Sequence, residues 1–394
     1  MKRRAICNLF ALLCAGALAA GGQPPQAPPK TAQRAKLPKP RVFDPGELER
    51  DGETGELQPA RSKGAAEAKP ARPGAPDTIR ARVSLVEVGC TALGNDGKSL
   101  RGLRAEDFRI FEDGVEQRIA HFDASTEPAS LALVMDASPS IYRELGEMRA
   151  AARALAANLA PQDEVGVVAF SREAHLLLPL TRDRALLEGA LQSPELARVA
   201  NESTSNIYRA VYLTARELFA GRSGRKAILL LTDGQDSGLG LSWNPASASP
   251  RAGETAGRLT FEDVIRELAA EGIEVYAIST EPHPRALAPD WMAAHRGRTL
   301  ITEETRSAGV PVYTAYLTEL VRRAGGQIYF LREMGTLGDV YRRIAETLRE
   351  QYTLSYYPSA GLAKPGWRAL RVELPGRTAA LTYRAAYYVP PSAN

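Results

Sequence analysis

The chain lacks most of what holds small exported proteins together. It has three cysteines in 394 residues. Two of them, Cys7 and Cys14, fall in an N-terminal leader. With the leader removed, Cys90 stands alone and no internal disulfide is possible, so stability must come from packing. Histidine is scarce as well: His121, His175, His283 and His295 lie far apart, without the spacing of a zinc site. No Gly-x-Ser-x-Gly elbow, His-Glu-x-x-His, phosphate-binding loop or dinucleotide-binding glycine motif occurs in the context it requires, which argues against an enzyme. The formal net charge is only +4, part of it in the leader and the tail after it. No basic stripe with interleaved aromatics is present, so nucleic acid is not expected as a partner.

The leader has Lys2-Arg3-Arg4, an apolar core over 5–18 and a small-x-small site at Ala17-Leu18-Ala19. This is a signal-peptide pattern with cleavage near Ala19 or Ala20, and it implies export to a periplasmic or secreted, cell-envelope location. Leu12 and Leu13 before Cys14 are too bulky for a lipoprotein site, and the apolar run is shorter than the roughly twenty residues of a membrane span. No transmembrane segment is therefore expected after cleavage. Residues 21–77 are rich in Pro, Ala, Lys, Arg and Gly, with few large apolar side chains, and are expected to be a disordered linker.

From residue 78 the pattern changes. Residues 79–88 alternate apolar and polar, as a half-buried strand does, and Asp113-Gly114 between 108–112 and 115–119 is a hairpin signal. Three more strands are expected at 352–357, 369–374 and 380–385. Neither end has enough strands for a stable sheet of its own. One β-sandwich built from 78–127 and 351–390 is the economical solution, with 128–350 inserted between them. Inside the insert, strands at 131–136, 164–170, 174–180, 227–232, 273–278 and 327–330 alternate with helices at 145–159, 206–220, 261–270, 312–324 and 337–350. That order predicts an α/β, doubly wound, mostly parallel sheet.

The chain is organised around Leu131-Ala-Leu-Val-Met-Asp136-Ala-Ser138-Pro-Ser140. Five apolar residues predict a strand buried on both faces, with the acid at its carboxyl end, where open α/β sheets bind ligands. The stretch 227–234 repeats the pattern and ends in Thr232-Asp233-Gly234. Adjacent strands would bring the two acids together, and hydroxyls beside them complete an oxygen set suited to a hard divalent cation. The plainer alternative is that Asp136 and Ser138 only cap the next helix.

These residues resemble the metal-ion-dependent adhesion site of the von Willebrand factor type A family. Asp136, Ser138, Ser140 and Asp233 match its pattern, and the resemblance spans about 128–350. The hydroxyl that the family carries in a Gly-Gly-Thr run falls at Ser205, with Thr204 as the alternate ligand. Pro139 stands where the family often has Gly. The resemblance implies a Rossmann-like domain binding Mg²⁺ or Mn²⁺, with Ser138, Ser140 and Ser205 coordinating directly while Asp136 and Asp233 mainly hold waters. Such a cation stays electrophilic and can take an Asp or Glu carboxylate from a partner protein, so adhesion is the leading expectation. The alternatives are a scaffold subunit of an envelope complex with a vestigial metal site and, less favoured, a secreted metal-dependent hydrolase. The flanking Phe-x-Ile-x-Glu-Asp-Gly and Tyr-Tyr-Pro runs also resemble a bacterial secreted subfamily of this group.

Two loops, 234–258 and 281–310, exceed the roughly two to six residues usual for such connections. Trp243, Trp291, His283 and His295 within them are candidates to rim the cation. The helix at 337–350 runs into the next strand without Gly or Pro. A rigid pairing of the two domains is expected from that. The alternative is a lever, by analogy with integrin I domains, whose last helix shifts.

Overall fold

The strand Ala129–Asp136 is buried along its whole length, and its side chains leave it alternately toward two separate cores. Leu131, Leu133 and Met135 point into one, Ala132 and Val134 into the other. This is the period-two division required of a strand covered by helices on both faces. The same division recurs next to it, where Ala227, Leu229 and Leu231 share the first core and Ile228 and Leu230 the second.

The computed structural model describes residues 37–43, 48–50, 57–59, 85–94, 98–124, 128–138, 145–200, 204–243, 258–295, 298–331, 334–362 and 364–389. The leader and most of 21–77 lie outside them, as does Ser140. The strands before the insert are β1 (Arg41–Val42), β2 (Leu48–Arg50), β3 (Leu57–Pro59), β4 (Val86–Leu93), β5 (Arg109–Glu112), β6 (Val115–Gln117) and β7 (Ile119–Asp123). Within the insert follow β8 (Ala129–Asp136), β9 (Glu164–Phe170), β10 (Ala174–Thr181), β11 (Arg225–Thr232), β12 (Ile273–Ser279) and β13 (Ile328–Phe330). After it come β14 (Tyr352–Tyr356), β15 (Gly366–Glu373), β16 (Ala380–Tyr383) and β17 (Ala386–Val389). The helices are α1 (Leu145–Asn158), α2 (Arg184–Leu191), α3 (Pro194–Val199), α4 (Ile207–Leu213), α5 (Phe261–Glu271), α6 (Pro289–Ala294), α7 (Glu303–Ser307), α8 (Val312–Ala324) and α9 (Leu337–Arg349). None is long and apolar enough to cross a membrane among the described residues.

The central sheet has the order β1-β10-β9-β8-β11-β12-β13 and is parallel from β9 to β13, with β10 and β1 antiparallel. Strand order reverses at β8, which places Asp136 at the topological switch point. Helices α1, α2, α3 and α9 contribute to one core, and α4, α5 and α8 to the other. The fold is thus the expected α/β arrangement, with two antiparallel sheets added by the flanks. These run β16-β4-β14-β7 and β17-β15-β5-β6, and they enclose a third core through residues such as Val88, Ile110, Leu354 and Val372. The hairpin turns where expected: Asp113 and Gly114 both have positive φ, 47° and 85°, as a type I′ turn demands.

Several boundaries differ from the sequence reading. The first sandwich strand is β4, ending at Leu93 rather than Val88, because Cys90, Thr91 and Ala92 are also buried; residues 79–84 lie outside the described set. The segment 115–119 is split, Gln117 pairing with Ile110 in one sheet and Ile119 with Tyr356 in the other. A further strand, β17, pairs with β15.

The expectation of disorder across 21–77 is corrected for 37–43, 48–50 and 57–59. There the chain straps the α/β domain. Arg41 and Val42 pair with Leu176 and His175 of β10, so that β1 lies outside β10 in the sheet. Phe43 is 3% exposed in the second core, joined by Leu57. Arg50 forks onto Asp263 of α5 at 2.9 and 2.7 Å. A composition average misses such anchors because each is a single side chain meeting a preformed surface. Phe43→Ala should lower the unfolding free energy by about 3 kcal/mol, read by urea titration; a variant as stable as the parent would show that the strap adds nothing.

The two domains meet at the amino ends of the parallel strands, opposite Asp136. Gln351 of the sandwich donates to the carboxylate of Glu274, and Tyr276 donates to the other Glu274 oxygen at 3.0 Å; within the α/β domain, Arg225 donates to the carbonyl of Leu348 at the end of α9. Burial pushes the Glu274 carboxyl up, against these hydrogen bonds and the nearby Arg225 and Arg384. A carboxyl raised by folding stabilises when protonated, and that stability is lost as pH rises through its folded value. The parent should therefore lose stability relative to Glu274→Gln as pH rises above the ordinary Glu value of 4.5. Parallel stability-against-pH curves for the two proteins would refute it.

Candidate functional site

The loops at the carboxyl ends of β8, β9 and β11 converge with the entry to α4, and backbone hydrogen bonds tie them together. Ala137 N–H donates to Phe170 O at 2.8 Å, Asn206 N–H to Ser171 O at 2.8 Å and Ser237 N–H to Ser205 O at 2.7 Å. The side chains at the centre are thus placed by four crossing segments and not by one flexible turn.

Asp136 is fully buried at the end of β8. Its Oδ1 accepts from the Ser138 N–H at 2.9 Å. Its Oδ2 accepts from Thr232 Oγ1 at 2.7 Å and Ser205 Oγ at 3.1 Å. The register explains the first of these hydroxyls: Met135 pairs with Leu231, so Asp136 stands beside Thr232, and Asp233 follows one residue further out. Thr232 Oγ1 also accepts from the Gly234 N–H at 3.0 Å, which orients the hydroxyl toward Asp136. Asp233, 7% exposed, braces its own loop by accepting from the Gln235 N–H at 2.9 Å.

Burial raises the Asp136 carboxyl above its ordinary range; Ser138 and Thr232 oppose the rise by hydrogen bonding, and the charge of Asp233 adds to it. No cationic side chain pairs with Asp136 among its described contacts. Two neighbouring carboxylates in a poorly hydrated pocket are costly by themselves, and a bound divalent cation would offset that cost. Among the described residues no three His, Cys, Asp or Glu side chains cluster for a metal. The donor set is instead two acids with hydroxyls, and that set fits a hard divalent cation, which prefers oxygen.

Of the expected ligands, the structure brings Asp136, Ser138, Ser205 and Asp233 together. It turns Ser205, not the half-buried Thr204, onto Asp136. Sequence reasoning passed over Thr232 as a donor, since only the register between β8 and β11 puts it opposite the acid. It also passed over Asp236, which accepts from the N–H groups of Gly238 and Leu239 at 2.9 and 2.7 Å and sits against the start of α4 through Tyr208. Burial raises the Asp236 carboxyl against those bonds. On the rim, Tyr313 hydrogen-bonds Glu281 and senses the charge of Asp233.

The aromatic residues of the long loops pack into a small core of their own. Leu287, Val310 and Ala315 form a satellite core against which Trp243, Trp291, Met292 and Phe330 pack. Trp291 stacks on His295 at 3.7 Å, His295 pairs with Glu304 at 3.0 Å, and His283 meets the Phe330 ring edge-on at 4.7 Å. The loop after β12 is therefore folded, with α6 and α7 inside it. Bulky side chains in a long connection here form a small core.

Residues 130–290 match the family model of the von Willebrand factor type A domain, and the chain carries a domain of that family. Such domains are protein-interaction modules that often bind a divalent metal at the site called MIDAS. No curated protein matches the chain. Among solved structures, a von Willebrand factor type A protein from Catenulispora acidiphila is 12% identical, with 78% of this chain and 73% of that one covered at a TM-score of 0.38. The vWF domain of the type V pili tip protein Mfa5 from Porphyromonas gingivalis is 14% identical, covering 57% and 96% at 0.39. Proximal thread matrix protein 1 from the mussel byssus, with a zinc-occupied MIDAS motif, is 15% identical, covering 58% and 49% at 0.37. At these scores the metal and partners of those proteins carry no argument for this one.

Thr232→Val keeps the side-chain shape and removes one donor from a buried carboxylate. It should cost about 1–3 kcal/mol of stability in metal-free protein, measured by urea unfolding near neutral pH. An unchanged midpoint would mean that the bond to Asp136 contributes nothing.

Proposed function

We propose that the carboxyl-end face of the central sheet is a metal-dependent protein-binding site, acting in binding and not in turnover. The observation that carries this reading is the buried Asp136, beside Asp233 and with no cationic partner among the described residues, ringed by Ser138, Ser205 and Thr232. Asp136, Asp233, Ser138 and Ser205, together with Ser140, are the residues that would hold Mg²⁺ or Mn²⁺. Bound there, the cation supplies an electrophilic centre for an Asp or Glu carboxylate of a partner. The chain's own residues do the rest: the buried acids fix the charge, the hydroxyls fix the donor directions, and the crossed loops keep both in place. The signal-peptide pattern of the leader supports an exported, envelope or extracellular setting for that partner.

A second reading, a scaffold whose metal site is vestigial, is favoured by one feature. Both Asp136 oxygens already have protein donors, so the network is satisfied without a cation. Calorimetric titration of metal-free protein with Mg²⁺ and Mn²⁺ separates the two. The binding reading expects saturable heat that Asp136→Ala weakens by roughly 10- to 100-fold, and chelator-sensitive capture of envelope proteins that Asp233→Ala abolishes. Absence of metal binding by the unaltered chain, or equal binding by Asp136→Ala, leaves the scaffold.

A further inference from the structure

The outermost strand of the central sheet, β13, borders an open groove of about 2120 Å³. Helix α8 lines one side through Arg322 and Arg323, and α9 the other through Val340 and Arg343. The loop after β12 contributes His283 and Arg285, and β15 and β16 of the sandwich close the end. Strand β13 pairs in parallel with β12 on its inner side only. Ala277 N–H donates to Gln327 O and Leu331 N–H to Ser279 O, so 327, 329 and 331 face β12. By the alternation of a parallel ladder, the N–H and C=O of Ile328 and Phe330 face outward into the groove. No strand covers them among the described residues.

The charge of the groove is one-sided. Seven arginines and three acids line it, and each acid already has an arginine: Arg50 on Asp263, Arg323 on Glu262 and Arg322 on Glu319. Arg285 and Arg343 are exposed and have no acid within ion-pair range among the described residues. An open strand edge is a template for another strand, and uncompensated arginines select a carboxylate-bearing one. We propose that this groove docks an extended acidic segment of a partner protein, added as a strand along β13, with Arg285 and Arg343 reading its carboxylates. A nucleic acid would satisfy the arginines but cannot continue the backbone ladder, which is why a polypeptide is the occupant. This surface is separate from the Asp136 site and needs no metal.

The test uses the full mature chain and a fluorescein-labelled, end-blocked peptide of alternating Glu and Val, followed by anisotropy at low salt. Matched Gln–Val and Lys–Val peptides and a deoxythymidine oligonucleotide of equal charge serve as comparisons. The expected result is preferential binding of the Glu–Val peptide, weakened roughly tenfold in Arg285→Glu/Arg343→Glu and unchanged by chelator. Amide exchange should slow at Ile328 and Phe330 when the peptide is bound. Both substituted residues are exposed, so the variant keeps its fold, checked by its urea midpoint. Equal binding by the double variant, equal binding of Gln–Val, oligonucleotide binding as tight as the peptide, or no protection at Ile328 and Phe330 would each overturn the proposal. Loss of peptide binding on adding chelator would assign the peptide to the Asp136 site instead. Failure of the groove leaves the metal reading untouched, because calorimetry with Mg²⁺ does not depend on it.

Discussion

The carboxylate of Asp136, buried at the end of the central strand, is the constraint on which the other features of the site depend. A charge with no water around it must be met by donors of fixed direction. Each of its donors comes from a different place: Ser138 from its own loop, Ser205 from the entry to α4, and Thr232 from the neighbouring strand. Moving any of the three segments would leave a buried oxygen short of a partner. The sheet register, the turn at Gly234, whose φ is 85°, and the crossed backbone bonds between the loops therefore act as one unit.

That unit was partly legible in the sequence. Apolar runs ending in Asp136 and in Thr232-Asp233 identify two buried strands and the face on which they finish, because strand burial and chain direction follow from pattern alone. The pattern does not give register. A shift of one residue between β8 and β11 would have put Asp233, in place of Thr232, directly beside Asp136. Choosing Ser205 over Thr204 likewise depends on how the entry to α4 is held, and Asn206 donating to Ser171 and Arg172 fixes it there.

The missed features share a cause. The strap residues 37–43, 48–50 and 57–59 and the folded loop after β12 each rest on a few large side chains in otherwise polar or small-residue stretches. Phe43 and Leu57 find their partners far away in sequence, and Trp243 and Trp291 pack on Leu287, Val310 and Ala315. Composition windows report whether a segment can bury a core of its own, not whether it can lend a side chain to another. Once the sheet edge at β10 and the α5 surface exist, one phenyl ring and one bidentate Arg50–Asp263 pair suffice to order a segment that could not fold alone.

The link between the domains follows from the same accounting of where rigid elements end. The final helix, α9, joins the sandwich through Gln351, as its unbroken sequence led one to expect, but it is not the only connection. Helix α8 has Tyr313 at its start, packed near Gly234 beside the site, and Arg323 near its end, stacked at 4.5 Å over Trp367 of the sandwich. Its thirteen residues span about 20 Å, almost all of them buried between Thr314 and Val321. Helices α8 and α9 lie on opposite faces of the sheet, since they belong to different cores. A lever needs one element free to move against a fixed frame. Here two helices on opposite faces tie the α/β domain to the sandwich, with the half-buried Glu274–Gln351 contact between them. Displacing α9 alone would have to break that contact while α8 held the sandwich in place, so the geometry favours a rigid pairing in which the sandwich fixes the direction of the binding face.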